Sequence, residues 1–140
     1  MKNILIILAA IAALSPAIAD AKANSCPSQN FAAFFKAYRN NVLIQKKFTA
    51  NPLKYTNHYD SGFAEKPAAK DLMAAEIDFP IMIDDKALAE QGVSFSSKKQ
   101  TLRWYKVITI SQGTDAYANE FDFKKLNGCW QLEEWTDFSG

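Results

Sequence analysis

The apolar positions of this chain follow three rhythms, and each predicts a different kind of element. The first is continuous: after the short basic start Met1-Lys2-Asn3, Ile4 to Leu14 carries no polar residue, and Ser15-Pro16 breaks the run. As a helix this run rises about 16 Å, roughly half the hydrocarbon thickness of a bilayer, so it reads as the core of a secretory leader and not as a membrane anchor. Ala17-Ile18-Ala19 supplies a small-x-small cleavage site, predicting a signal peptide over 1–19 and one domain over 20–140; Ala21-Lys22-Ala23 is a second candidate site. The second rhythm is helical. Ser25 and Ser28 are candidate caps, Pro27 suits a first turn, and Phe31, Phe34, Phe35, Tyr38 and Val42 recur at helical spacing, predicting one long aromatic helix over 27–47. So broad an aromatic stripe needs a broad surface, and a curved sheet provides one.

The third rhythm is alternation. Beyond Asn51-Pro52, Leu53, Tyr55, Asn57 and Tyr59 alternate with Lys54, Thr56, His58 and Asp60 as in a strand, closed by Ser61-Gly62. Pro67 opens a candidate helix to about Glu76, and Ile77-Asp78-Phe79 reads as extended ahead of Pro80. Asp84 as cap, Asp85 in the first turn and Gly92 as terminator predict a short helix over 85–91. Strands follow from Val93. One runs from Leu102 to Ile110, a second from Ala116 to Leu126, and the Asn127-Gly128 turn leads to a third, Cys129 to Phe138, closing an antiparallel meander. The fold class is therefore α+β, a long N-terminal helix packed on a curved antiparallel sheet that ends in a three-stranded meander.

A two-residue turn at Asn127-Gly128 sets a register: Lys125 with Trp130, Phe123 with Leu132, Phe121 with Glu134, Tyr117 with Phe138. This register places Glu134 on the apolar face opposite Phe121, where an ionised carboxylate is costly unless paired. If Ile110 opposes Tyr117, Lys106 flanks Phe121 from the other side, roughly 10 Å from Glu134 across two strand spacings. Glu134, Lys106, Phe121, Trp104 and Tyr38 thus form a candidate pocket, unless strand twist simply carries this end of the sheet to solvent. The opposite face carries Glu120, Asp122, Glu133, Trp135 and Asp137, together with Lys124 and Gln131. Like charges side by side there make either a candidate interaction surface for a basic partner or a solvated face kept soluble by charge.

Composition removes several function classes. The chain is 49% hydrophobic and 22% charged, with ten Phe, which suits a compact fold and excludes disorder. Sixteen Lys plus Arg stand against fifteen Asp plus Glu, and Lys2 leaves with the leader, so the remainder is neutral and has no global charge for nucleic acid or anionic membranes. One His and two Cys are too few for the common zinc sites, and no metal or cofactor is expected. Export places Cys26 and Cys129 in an oxidising space, where an even pair is most simply one disulfide, and closing a loop of about 100 residues is worth roughly 4.7 kcal/mol in the chain-entropy model. Ala23-Asn24-Ser25 before Cys26 lacks the Leu of a lipoprotein signal.

Catalytic constellations are sparse. His58 is the sole imidazole, with Tyr59, Asp60 and Asp78 as conceivable helpers, and a lone His beside tyrosines is more often structural. No Gly-x-Ser-x-Gly, His-Glu-x-x-His or phosphate-binding Gly loop occurs, and Ser96-Ser97-Lys98-Lys99 matches Ser-x-x-Lys only formally, in what reads as a polar turn.

The aromatic helix, the segment Gln45-Lys46-Lys47-Phe48 with Asn51-Pro52-Leu53-Lys54-Tyr55, and the closing Phe121-Asp122-Phe123-Lys124-Lys125-Leu126-Asn127-Gly128-Cys129-Trp130-Gln131-Leu132 resemble the nuclear-transport-factor-two-like or cystatin-like α+β cone of exported bacterial proteins. The resemblance spans roughly 27–138 and describes packing, so it implies fold and leaves function open. It admits a soluble periplasmic or secreted, non-catalytic binding or protein-interaction module, for instance an immunity or inhibitor protein, taking a small apolar ligand or a protein partner, as a monomer or a dimer. The non-catalytic module is the leading expectation, and the alternative is an isomerase or hydro-lyase using Glu134 in the cone, assisted by Lys106, Tyr105 or His58.

Overall fold

The computed structural model describes residues 25–58, 67–111 and 117–139. The leader, Tyr59, Asp60, the Ser61-Gly62 stop and the turn after Ser111 lie outside the described residues.

The predicted single helix over 27–47 is two helices, α1 (Phe31–Asn40) and α2 (Val42–Lys47). Asn41 parts them. Its backbone is extended (φ −143°, ψ 110°) and its side-chain oxygen accepts from the N–H groups of Leu43 and Ile44, capping α2. Asn40 ends α1: its amide nitrogen donates to the Lys36 carbonyl and to Asp85, and its oxygen accepts from the Asp85 N–H. Two adjacent Asn side chains thus offer the backbone local partners that compete with the helical ladder. The start also moves, because Asn30 caps α1 and residues 27–29 precede it.

The strand predicted after Pro52 begins earlier, as β1 (Thr49–Asn57). Pro52, which has no N–H to donate, sits within the gap between Thr49 and Lys54 where the pairing of β1 slips. The helix predicted from Pro67 is instead β2 (Ala68–Leu72) and a single 3₁₀ turn (Ala74–Glu76). Pairing with β1 (Leu53 with Leu72 through Asn57 with Ala68) overrides the helix propensity of the alanines. The short helix stands as predicted: α3 (Asp85–Gln91), capped by Asp84 and ended by Gly92 in the left-handed region (φ 63°). The supposed polar turn at Ser96 to Lys99 is the middle of β3 (Val93–Thr101). β4 (Trp104–Ser111), β5 (Tyr117–Leu126) and β6 (Cys129–Asp137) complete a four-stranded run of antiparallel hairpins. Leu102-Arg103 is the turn between β3 and β4. Asn127 (φ 49°) and Gly128 (φ 81°) form the expected hairpin turn.

The six strands make one sheet in the order β2-β1-β6-β5-β4-β3, with β1 parallel to β6. The core lies between α1 and one face of this sheet. Phe31, Phe34, Phe35 and Tyr38 from α1 meet Leu53, Val107, Phe121, Phe123, Trp130 and Leu132 from the strands. Phe123 is central, its ring 5.2–6.0 Å from those of Phe31, Phe34, Phe35 and Tyr38. Arg39 lies over the rings of Phe35 and Phe95 and pairs with Asp85 at 2.7 Å, joining α1 to β3 and the start of α3. Cys26 and Cys129 form the expected disulfide, tying the segment ahead of α1 to the start of β6.

Candidate functional site

Two β-bulges decide which side chains share a face. Between β5 and β6 the predicted register holds for Lys125 with Trp130 and Phe123 with Leu132, then slips by one residue on β6. Phe121 therefore faces Trp135, and Glu134 faces Asp122. Between β4 and β5 Ile110 does oppose Tyr117, but a second slip between Ile108 and Ile110 sets Val107 against Phe121 and Lys106 against Asp122. A bulge turns every following side chain to the other face.

The candidate pocket and candidate interaction surface consequently exchange members. Glu134, Lys106 and Trp104 leave the apolar side for the opposite, open face, while Phe121 and Tyr38 stay in the core. Tyr38 is fully buried in the core, and its hydroxyl lies 2.6 Å from Thr49 Oγ1, which donates its own proton to the Gln45 carbonyl at 2.7 Å. Tyr38 is thus the donor of that pair, and burial pushes its phenol well above the usual range. Glu120, Asp122 and Glu133 do lie on the open face. Trp135 and Asp137 do not. Trp135 stacks on Phe121 at 6.1 Å, meets Tyr55 edge-on at 4.9 Å and donates its indole N–H to Asn119, while Asp137 accepts from the Tyr55 hydroxyl at 3.2 Å. Tyr105, named as an assistant, stacks on Phe31 at 4.0 Å within the core. His58 stacks on Phe138 at 4.4 Å at the end of β1, whereas Asp78 lines a separate groove with Lys46, Ala74, Ile77 and Phe79.

The open face carries a connected set of charges. Lys106 donates to Glu120 and lies 3.9 Å from Asp122. Lys124 donates to Glu134 at 2.8 Å, and Lys54 lies 3.9 Å from the same carboxylate. Trp104 donates its indole N–H to Asp122 at 2.6 Å, with the Lys124 ammonium 5.7 Å from its ring. These contacts leave Asp122 only 7% exposed. Burial pushes its carboxyl up, against the opposing pull of the Trp104 hydrogen bond and the Lys106 charge. Glu133, which accepts from Gln131, is likewise raised by burial. Glu134 is held down, chiefly by the Lys124 hydrogen bond, and that bond raises Lys124 in turn. Burial pulls the Lys106 ammonium down but is outweighed by Glu120, Asp122 and Glu134, so its net shift is upward.

An open groove lies on each side of this ridge. One, of about 310 Å³, has Lys54, Thr56, Asp71 and Glu134 among its lining; the other, of about 290 Å³, has Ser96, Lys98, Lys106, Glu120 and an apolar floor at Ile108. The alternation does place Lys124 on the charged face, whereas Lys54 and Ile108 were missed in the sequence. The signal for them was the anomaly itself, because a carboxylate facing Phe121 in the hydrophobic register marks a strand that has slipped. Among the described residues no cluster of three or more His, Cys, Asp or Glu could hold a metal ion, and no helix is long and apolar enough to cross a membrane.

No protein-family model and no curated protein matches the chain. Solved structures match in shape. An NTF2-like protein from Bacteroides fragilis superposes with a TM-score of 0.58 at 13% identity, over 84% of this chain and 50% of its own. A protein from Bacteroides uniformis, solved by NMR, gives 0.52 at 12% identity, over 77% of this chain and 76% of its own. A protein of unknown function with a cystatin-like fold from Nostoc punctiforme gives 0.37 at 12% identity, over 78% and 85%. This chain spans half the length of the first. At such identities the likeness is one of fold, and the fold is the NTF2-like α+β arrangement that the sequence resembles.

Proposed function

We propose that this is an exported, non-catalytic binding module that holds a protein partner on the open face of its sheet. The observation that carries the reading is the state of the two faces. Phe34, Tyr38, Phe123 and Leu132 have no exposed surface where a small ligand would sit between α1 and the sheet, whereas the other face presents Lys106, Glu120, Lys124 and Glu134 flanked by two grooves. Fixed charges of both signs in one patch favour partner discrimination and orientation, the work of an inhibitor or immunity protein. The leader pattern and the Cys26–Cys129 disulfide support export. An isomerase or hydro-lyase would need Glu134 as an acid enclosed in the cone, and this carboxylate instead lies on the open face, bonded to Lys124.

The test is affinity capture from an extract of exported proteins on the immobilised oxidised protein, comparing the parent with the double variant Lys54→Glu, Glu133→Lys. A partner held stoichiometrically by the parent and lost by the variant is the expected result. Equal capture by both overturns the open-face assignment. A small molecule that co-purifies stoichiometrically in native mass spectrometry moves the site to the interior.

A further inference from the structure

The near-neutral total charge conceals a polar distribution. Residues 98–107 and 123–132 contain six Lys and Arg and no acid, and they form the two adjacent hairpin turns at one end of the sheet. The hairpins are held side by side. Trp104 pairs with Lys124 and the Lys125 N–H donates to the Arg103 carbonyl at 2.8 Å, which brings the Leu102-Arg103 turn beside the end of β5 at Leu126. Thr101 Oγ1 accepts from the Arg103 N–H, which fixes the turn that presents Leu102. Leu102 is 80% exposed and Leu126 43%. Around them Lys98, Lys99, Arg103 and Lys125 make no ion pair among the described residues. The segment over 25–31, which the Cys26–Cys129 disulfide ties to this end, contains no acid either.

We propose that this end of the sheet docks on an anionic lipid bilayer, inserting Leu102 and Leu126 while Lys99, Arg103 and Lys125, with Lys98 behind them, lie against the headgroups. The inference goes beyond the open-face reading and uses none of the residues altered in its test. Apolar side chains at a tip ringed by cations are what an interfacial anchor needs, since burial of the leucines and attraction to anionic lipid act together. A folded protein partner fits the geometry less well, because a stable interface needs about 800 Å² from each side and two hairpin turns offer a narrow, projecting surface. A nucleic acid would leave both leucines in contact with phosphate. The vanishing total charge does not oppose docking, because screening beyond roughly 8–10 Å makes the local cations the ones that the membrane meets.

The experiment is cosedimentation of the oxidised protein with vesicles of phosphatidylglycerol mixed with phosphatidylcholine, alongside pure phosphatidylcholine. Binding to the anionic vesicles is expected, falling with added salt. Leu102→Ser with Leu126→Ser should weaken it roughly tenfold or more, and Lys99→Gln with Arg103→Gln about 30-fold. All four positions lie at or beside solvent-exposed turns, and an unchanged thermal midpoint will confirm that each variant is folded. Absence of binding at low salt overturns the proposal. So does binding that survives loss of both leucines, which would be adsorption by charge alone. Tighter retention on polyglutamate than on vesicles, indifferent to the leucines, would assign the patch to an acidic protein and equally overturn it.

Discussion

The two faces of this sheet are built from alternate residues of the same strands, yet they are held by different physics. The helix-side face carries Phe121, Phe123, Val107, Leu132 and Trp130, all at most 3% exposed, and its stability comes from burial and close packing. The open face carries ion pairs such as Lys124 with Glu134, in which both side chains are 37% exposed, and pairs of that kind contribute about 0–1 kcal/mol each. Stability therefore resides on one face, and the recognition chemistry we propose on the other. The open face is free to hold like charges that a core would not tolerate, such as Asp122 beside Glu134 and Lys98 opposite Lys106.

The sharpest test of this division is Phe123→Ala. The ring touches four aromatic neighbours from α1, so its loss opens a cavity that α1 cannot close without moving, and a destabilisation of about 3–5 kcal/mol is expected in urea unfolding. A loss below about 1 kcal/mol would mean that the helix-side face is not the organised core described here.

A smaller effect tests how the core side tolerates polarity. Gln45 is fully buried, and its side chain is saturated: the amide nitrogen donates to the Met82 carbonyl at 2.8 Å and to that of Arg39 at 3.3 Å, while the oxygen accepts from the N–H groups of Ile81 and Met82. It pins the segment after Pro80 onto α2. Gln45→Leu keeps the volume approximately but strands those backbone groups, which should cost about 3 kcal/mol and raise amide exchange at Ile81 and Met82 first. Unchanged exchange there would show that water replaces the side chain.

The boundary between the faces is also where the sequence stopped being legible. Near Asn127-Gly128 the turn chemistry set the register, and Lys125 with Trp130 and Phe123 with Leu132 follow it. The short helix over 85–91 was equally legible, because the Asp84 cap and Gly92 stop are local signals. What failed were features decided at long range. A bulge adds one residue and inverts all that follows, and nothing in the alternation of Glu133-Glu134-Trp135 alone says which of the three is extra. The propensity of Ala68-Ala69 for helix lost to pairing with β1, and the aromatic stripe of α1 stayed legible although Asn40-Asn41 divided its helix. The disulfide, by contrast, followed from compartment and count alone.

The finest test uses two acids that face each other across the bulge, Asp122 and Glu134. Their carboxyls are shifted in opposite directions, up for Asp122 through burial and down for Glu134 through the Lys124 hydrogen bond. A lowered carboxyl contributes stability that is present above its unfolded value and is lost as pH falls through its folded value. Glu134→Gln should therefore be less stable than the parent near neutral pH, by at most about 1 kcal/mol for so exposed a pair, and equal to it in acid. A raised carboxyl has the reverse sign: the folded protein holds its proton more tightly, so stability declines as pH rises through the window from the ordinary to the raised value. Asp122→Asn keeps an oxygen for the Trp104 indole and removes the buried charge, so it should match or exceed the parent at neutral pH, with any gain vanishing in acid. Thermal midpoints of the two variants against the parent across this range should diverge in opposite directions as pH rises. Parallel curves would mean that both acids share one environment, and that Asp122 is not set apart from the rest of the open face by the Trp104 ring lying against it.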